Sequence, residues 1–319
     1  MAVQQYDLPL EELRTYCPPL TKEADFDDFW ARAKQELAAV PMEYTLTPIA
    51  YPADSIEVSL LRFRSVNGAQ VAAYFAKPVG DAPRPAIVSY HGYNWGISAL
   101  EDTVLGAFHG FVTTQMLIRG QQGESEDTVP DLQGHALGWM TKGIASPETY
   151  YYRAVFLDAV RLLEIIASMD CVKADKIAVK GGSQGGALTL AAAALSDIPC
   201  LAIANYPYLS HFRRAIDMAQ QDPYWELNEY FRRNPEPEVE EQALKTLSYF
   251  DVMNHAPNIR CRVEIFTGLV DLITPPSTVF AAYNHLNCDK EIHVYRYFGH
   301  ENISGASIKQ FEILANRLR

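Results

Sequence analysis

The sequence predicts an α/β fold, a mainly parallel sheet with helices on both faces. Three observations carry that prediction. Short apolar, β-branched runs alternate with helix-forming runs over most of the 319 residues. One strand–helix junction is compressed into a glycine-flanked turn, Gly181-Gly182-Ser183-Gln184-Gly185-Gly186. The clear hairpin signal, Asn67-Gly68, lies near the start and supplies an antiparallel edge.

Taken in order, the first helix is expected from Asp25, a plausible N-cap, to Pro41. Phe26, Phe29, Trp30, Ala33 and Leu37 recur there at helical spacing, and this aromatic stripe reads as core packing. It belongs to an N-terminal helical extension, 1–45. Strands at 56–63 and 71–76 flank the hairpin turn, and strands at 86–90 and 111–118 follow. A long helix is expected over 153–169, with Val155, Ala159, Leu162, Leu163 and Ile166 on one side. The strand 176–180 enters the glycine turn, and the run 187–195, rich in Ala and Leu, leaves it as a helix. Strands at 200–204, 262–267 and 291–298 and helices at 275–286 and 306–318 complete the pattern. Pro275 suits a first helical turn. The polar, aromatic stretch from about 206 to 256 is too long for an ordinary connection and reads as an insertion over the mouth of the site, within one domain spanning 1–319.

Composition narrows the function. An apolar fraction of 48% suits a globular core, and a formal charge of −12 argues against nucleic acid and anionic membranes as partners. No run has the length of a membrane span, and the N-terminus lacks the basic and apolar regions of a signal peptide. The five cysteines are scattered and never form Cys-x-x-Cys, which fits reduced thiols in a cytoplasmic protein and no structural zinc.

The glycine turn fits Gly-x-Ser-x-Gly, the nucleophile elbow of an α/β-hydrolase. Gly181 and Gly185 are expected because the turn is too sharp for side chains, and the helix N-terminus beneath Ser183 favours negative charge. A dinucleotide loop fits less well, because Ser183 breaks Gly-x-Gly-x-x-Gly. A serine nucleophile needs a base and a carboxylate to orient it, in the chain order Ser, Asp or Glu, His. Asp271 follows the strand 262–267, and His300 follows the last strand by way of Gly299. The other histidines fit worse: His293 lies mid-strand, His285 late in a helix, and His109, His135, His211 and His255 precede the acid in the chain. Asp289 is expected at the opposite sheet edge and Asp251 in the insertion. For the oxyanion hole, one amide should come from Gln184, after the nucleophile, and the other from the His91-Gly92-Tyr93-Asn94 loop, with Tyr93 as candidate. His91 itself reads as a structural loop residue.

Together these residues resemble the acetyl xylan esterase and cephalosporin C deacetylase family, carbohydrate esterase family seven. The resemblance rests on Arg119-Gly120-Gln121, Gly181-Gly182-Ser183-Gln184-Gly185 and His300-Glu301, in that order. Tyr206-Pro207-Tyr208-Leu209, His211-Phe212-Arg213-Arg214 and Gly268-Leu269-Val270-Asp271 add to it, so it spans nearly the whole chain. It implies a Ser183, Asp271, His300 triad, Tyr93 and Gln184 amides as oxyanion donors, and deacetylation of small substrates such as acetylated xylo-oligosaccharides and cephalosporin C. It also implies a cytoplasmic location and a homo-oligomer, a hexameric ring with sites facing an inner cavity; the serine mechanism itself is expected to need no cofactor or metal. Arg119 and Gln121 read as bracing the loops around the site. Trp95 departs from the small residue usual after Asn94 and is expected to narrow the pocket, and the step from the last strand to His300 is shorter than the family suggests. Other acyl hydrolases on this fold, a general carboxylesterase or peptidase, stay open as alternatives, as does a non-catalytic binding protein.

Overall fold

The computed structural model describes residues 6–95, 99–121, 123–130 and 137–318. His135 therefore lies outside the described residues. Among the described residues nine strands form one sheet: β1 (Tyr44–Pro48), β2 (Ile56–Arg64), β3 (Gln70–Pro78), β4 (Arg84–Tyr90), β5 (Val112–Leu117), β6 (Val172–Gly182), β7 (Leu201–Asn205), β8 (Arg262–Gly268) and β9 (Lys290–Tyr295). Their order is β1-β2-β3-β5-β4-β6-β7-β8-β9. β1, β2, β3 and β5 pair antiparallel, and every pairing from β5 through β4 to β9 is parallel. Asn67 and Gly68, both at positive φ (59° and 70°), turn the predicted hairpin between β2 and β3. β1 is an addition to the prediction: all five of its residues are exposed, so it lacks the buried alternation that marks a strand in sequence.

The helices are α1 (Leu10–Leu13), α2 (Phe26–Ala38), α3 (Ala99–Phe108), α4 (Tyr151–Ala167), α5 (Gln184–Leu195), α6 (Phe212–Met218), α7 (Trp225–Arg233), α8 (Pro237–Ser248), α9 (Val252–His255), α10 (Pro276–His285) and α11 (Ala306–Leu318). Among the described residues none is long and apolar enough to cross a membrane. Strand alternation places them on two faces. Ala86, Val88, Ile177, Val179, Ala202, Ala204, Val263 and Ile265 pack into one core with α4, α5 and α2. Their neighbours Ile87, Ala178, Leu201, Ile203 and Phe266 point the other way, into a second core with α11. The helix α5 is apolar on all sides because it is buried on all sides.

The aromatic stripe of α2 is core, as expected. Trp30 stacks on Phe156 with centroids 5.7 Å apart and donates Nε1–H to the Tyr249 carbonyl at 3.0 Å. Phe26 and Phe29 pack on Tyr249, at 6.2 and 4.7 Å. The segment between β7 and β8 carries four helices, α6 to α9, and its end is clamped by α2. The last strand ends at Tyr295 and not at 298, so a longer loop leads to His300 than the sequence suggests. His293 lies mid-strand as predicted, with Nε2 at 2.8 Å from Glu264 Oε2.

Candidate active site

The parallel strands β6, β7, β8 and β9 all end at one edge of the sheet, and the candidate residues lie on the loops that leave them. Ser183 sits between β6 and α5 at φ 56° and ψ −120°, a conformation costing about 1–3 kcal/mol that persists only where the surroundings enforce it. The backbone does enforce it. Ser183 N–H donates to the Asn205 carbonyl at 3.0 Å, and its carbonyl accepts from Tyr208 N and Ala187 N, both at 3.0 Å. The glycines are required by close approach. A Cβ at Gly185 would lie 2.0 Å from the Tyr90 carbonyl oxygen, and one at Gly181 would lie 2.4 Å from Gly185 backbone. Ser183 remains 8% exposed at the N-terminus of α5.

Asp271 and His300 come together. The Asp271 carboxylate is fully buried. Its Oδ1 accepts from Ile273 N and Thr274 N at 2.8 and 2.9 Å, and its Oδ2 accepts from Thr274 Oγ1 at 2.7 Å and pairs with His300 Nδ1 at 2.8 Å. The two loops are laced by backbone bonds, Val270 N to Phe298 O and Leu269 N to Tyr295 O, both 3.1 Å. A Cβ on Gly268 would lie 2.0 Å from Phe298 O and force the loops apart. Tyr206, at φ 33°, lies between serine and histidine loops: its ring is 4.6 Å from that of His300 and lies against Gly182. Burial, then Asp271 and Glu301, push its hydroxyl up to about 12. His300 makes its hydrogen bonds through Nδ1, to Asp271 and Thr274. Among the described residues none joins it to the Ser183 hydroxyl, a bond that in ligand-free enzymes is often long and tightens with substrate. Glu301 is exposed and accepts from Gly299 N at 3.1 Å.

The His91 loop lies against the elbow. A Cβ on Gly92 would lie 3.9 Å from Ser183 Cβ and 3.5 Å from Trp95 Cβ. Trp95 is 67% exposed, so little of it is packed against the protein. His91 is structural, as its place suggests: Nδ1–H donates to Gly92 O at 2.7 Å, and Nε2 accepts from Ile118 N at 3.0 Å. Both contacts suit the neutral ring, and burial lowers its pKa to about 4.

Arg119, Gly120 and Gln121 brace these loops. The Arg119 guanidinium forks onto Asp158 with bonds of 2.7 and 2.6 Å, both side chains fully buried. Gly120, at φ 71°, passes so near Trp139 that a Cβ would lie 2.6 Å from its ring. Gln121 accepts from Asn94 N at 3.0 Å and exchanges amide bonds with Gln184, whose Oε1 also accepts from Tyr152 at 2.8 Å.

A family model described as acetyl xylan esterase (AXE1) matches residues 3–316. The chain belongs to the acetyl xylan esterase family. Members of that family are carboxylic ester hydrolases, and the solved relatives superpose closely. An acetyl xylan esterase from Paenibacillus sp. R4 is 39% identical with a TM-score of 0.94, over 98% of this chain and 100% of that one. Acetyl xylan esterase 1 from Thermoanaerobacterium sp. JW/SL YS485 is 33% identical, also at 0.94, with the same coverage. Acetyl esterase Axe7A of Xylanibacter ruminicola (strain ATCC 19189 / DSM 19721 / CIP 105475 / JCM 8958 / 23) is 28% identical over 284 residues. That match takes in 86% of this chain, which spans 62% of that longer relative. An acylaminoacyl peptidase from Pyrococcus horikoshii, 18% identical with a TM-score of 0.58, shares the α/β-hydrolase fold alone.

Within this acetyl xylan esterase family member, sequence reasoning missed four contributors. Thr274 bonds both Asp271 and His300; its signal was the Asp-x-x-Thr spacing of a side-chain-capped turn. Tyr206 was seen only as part of a family motif. Tyr6 donates to the Asp271 carbonyl, and Glu226 accepts from the Tyr93 hydroxyl at 2.7 Å. Both act across more than a hundred residues of sequence, with no local pattern to reveal them.

Proposed function

We propose that this chain is a serine esterase that removes acetyl groups from small O-acetylated substrates, acetylated xylo-oligosaccharides and cephalosporin C among them. The observation that carries the reading is the strained Ser183 elbow at the same sheet edge as His300, which is paired to the buried Asp271. Family membership supports the acetyl ester as the bond attacked.

In this reading Asp271 holds the proton of His300 on Nδ1 and leaves Nε2 free as a base. Ser183 Oγ adds to the acetyl carbonyl carbon as its proton passes to His300 Nε2. The carbonyl oxygen becomes an oxyanion held by the backbone amides of Tyr93 and Gln184, with the N-terminus of α5 behind it. The intermediate collapses, the C–O bond to the sugar breaks, and His300 protonates the departing alkoxide. Water, deprotonated by His300, then adds to the acetyl-Ser183 ester and releases acetate by the same route. The resemblance noted in the sequence supports a homo-oligomeric ring in the cytoplasm that admits small esters and excludes polymers.

Ser183→Ala is expected to lower kcat on 4-nitrophenyl acetate by about 10⁴-fold or more. Near-normal turnover by this variant would falsify the serine mechanism. Acetylated xylo-oligosaccharides and cephalosporin C are expected to be hydrolysed well, and acetylated polymeric xylan poorly; rapid deacetylation of the polymer contradicts the enclosed site.

A further inference from the structure

Glu226, on α7 in the long segment between β7 and β8, reaches back into the His91 loop. Its Oε1 accepts from the Tyr93 hydroxyl at 2.7 Å and its Oε2 from Met140 N at 3.1 Å. The same Tyr93 oxygen accepts from Trp139 N at 2.8 Å. Trp139 Nε1 in turn donates to Asn94 Oδ1 at 2.9 Å, next to Tyr93. Room for the carboxylate is kept by Gly138, where a Cβ would lie 2.2 Å from it. No cation neutralises it among the described residues: the groups acting on it are Tyr93, the Met140 amide and Asp222. Burial raises its pKa, and the bonds from Tyr93 and Met140 oppose that rise. A carboxylate drawn out of water to meet a tyrosine hydroxyl and one amide is a costly way to hold a surface helix.

We propose that Glu226 is a positioning residue for the oxyanion hole: it fixes the Tyr93 side chain, and through it the Tyr93 backbone amide, against the elbow. The inference rests on the serine esterase reading and on Tyr93 as an oxyanion donor. It gives the α7 segment a role in the chemistry. The tyrosine ring is a rigid lever, since its Cβ belongs to the residue whose amide must be aimed, and Glu226 and Trp139 hold its far end. The contribution is specific to the transition state, because the amide meets full negative charge only when the carbonyl becomes tetrahedral.

Losing an oxyanion donor outright costs about 10²–10³ in kcat, so a misaimed donor is expected to cost about tenfold. Glu226→Leu, which leaves no acceptor for the Tyr93 hydroxyl, and Tyr93→Phe are each expected to lower kcat on 4-nitrophenyl acetate by about that factor, with KM within about twofold. The double variant should be no worse than the weaker single, since both cut the same link. Gly138→Ala pushes Glu226 aside without altering either residue and should reproduce the loss; circular dichroism and thermal melting check that each variant is folded. Inhibition by methylboronic acid, whose serine adduct places an oxygen in the same hole, should weaken in step with kcat. Unchanged kcat in Glu226→Leu and Tyr93→Phe, or a rise in KM at constant kcat, overturns the inference. Ser183→Ala separates the two levels. If it is inactive while the Glu226 and Tyr93 variants are normal, the positioning role alone fails; if it stays active, the esterase reading fails as well.

Discussion

Gln121 and Gln184 face each other amide to amide, each donating from Nε2 to the other's Oε1 at 2.9 Å. One stands on the loop after β5 and the other directly follows Ser183, so this pair joins the Arg-Gly-Gln motif to the elbow. Gln121 also accepts from Asn94 N, one residue beyond Tyr93. Two loops that flank the same serine are therefore held by one side chain.

Gln121→Ala removes these bonds and leaves the buried Gln184 amide short of partners. The stability loss is expected at about 1–3 kcal/mol by urea unfolding, the cost of an unsatisfied buried polar group. A fall in kcat is expected alongside it, because the partner is the residue after the nucleophile. A variant with wild-type kcat and unfolding midpoint would show that the amide pair constrains nothing.

Arg119 and Asp158 form a fully buried ion pair. Arg119→Met leaves the carboxylate uncompensated and is expected to cost about 3–5 kcal/mol. Adding Asp158→Leu should recover most of that loss, since the penalty belongs to the orphaned charge. Equal destabilisation of the single and double variants, measured by urea unfolding, contradicts this account.

The segment before α1 is tied to the loop that carries Asp271. Asp7, its side chain fully buried, accepts from Ser277 N at 2.7 Å near the start of α10 and pairs with Arg214 at 2.8 Å. Asp7→Ala removes a helix cap and an ion pair whose cation is part-exposed, and about 1–2 kcal/mol is expected. Because Tyr6 donates to the Asp271 carbonyl, kcat should fall too. Loss of stability with no change in kcat would confine the segment to a structural role.

Burial lowers His255 from 6.5 to about 4, and the ring packs edge-on against Phe26 and Trp30 at 4.9 and 5.2 Å. The unfolded chain takes up a proton below about pH 6.5 and the native one not until about pH 4. Its contribution is thus fully present above pH 6.5 and is lost as the pH falls towards 4, by about 3 kcal/mol. His255→Phe should lower stability at pH 7 through the lost bond to the Tyr249 carbonyl, yet flatten the decline between pH 6.5 and 4. Parallel stability curves for the two proteins across that range would rule the histidine out.

Much of this was legible in sequence for identifiable reasons. The α2 stripe shows its burial through spacing, because helix period and buried face coincide at Phe26, Phe29, Trp30, Ala33 and Leu37. The elbow is legible because Gly181 and Gly185 have backbone where a Cβ would go. β1 was not, since an exposed edge strand has no apolar alternation to betray it. The end of β9 was misplaced because Tyr297 and Phe298 continue the aromatic pattern after the pairing with β8 has stopped at Tyr295.

By itself the sequence determined the fold class, the glycine-flanked serine, and the order in which an acid and a histidine follow it at strand ends. These are consequences of local sterics and of chain direction in a parallel sheet, and both are written in neighbouring residues. Only the tertiary structure decided which side chains hold the site in place. Thr274 on Asp271, Tyr206 beside His300, Tyr6 on the Asp271 carbonyl, and Glu226 on Tyr93 are meetings across loops. A hydrogen bond is directional and acts over about 3 Å, so such partners exist only once the sheet has brought their loops to one edge.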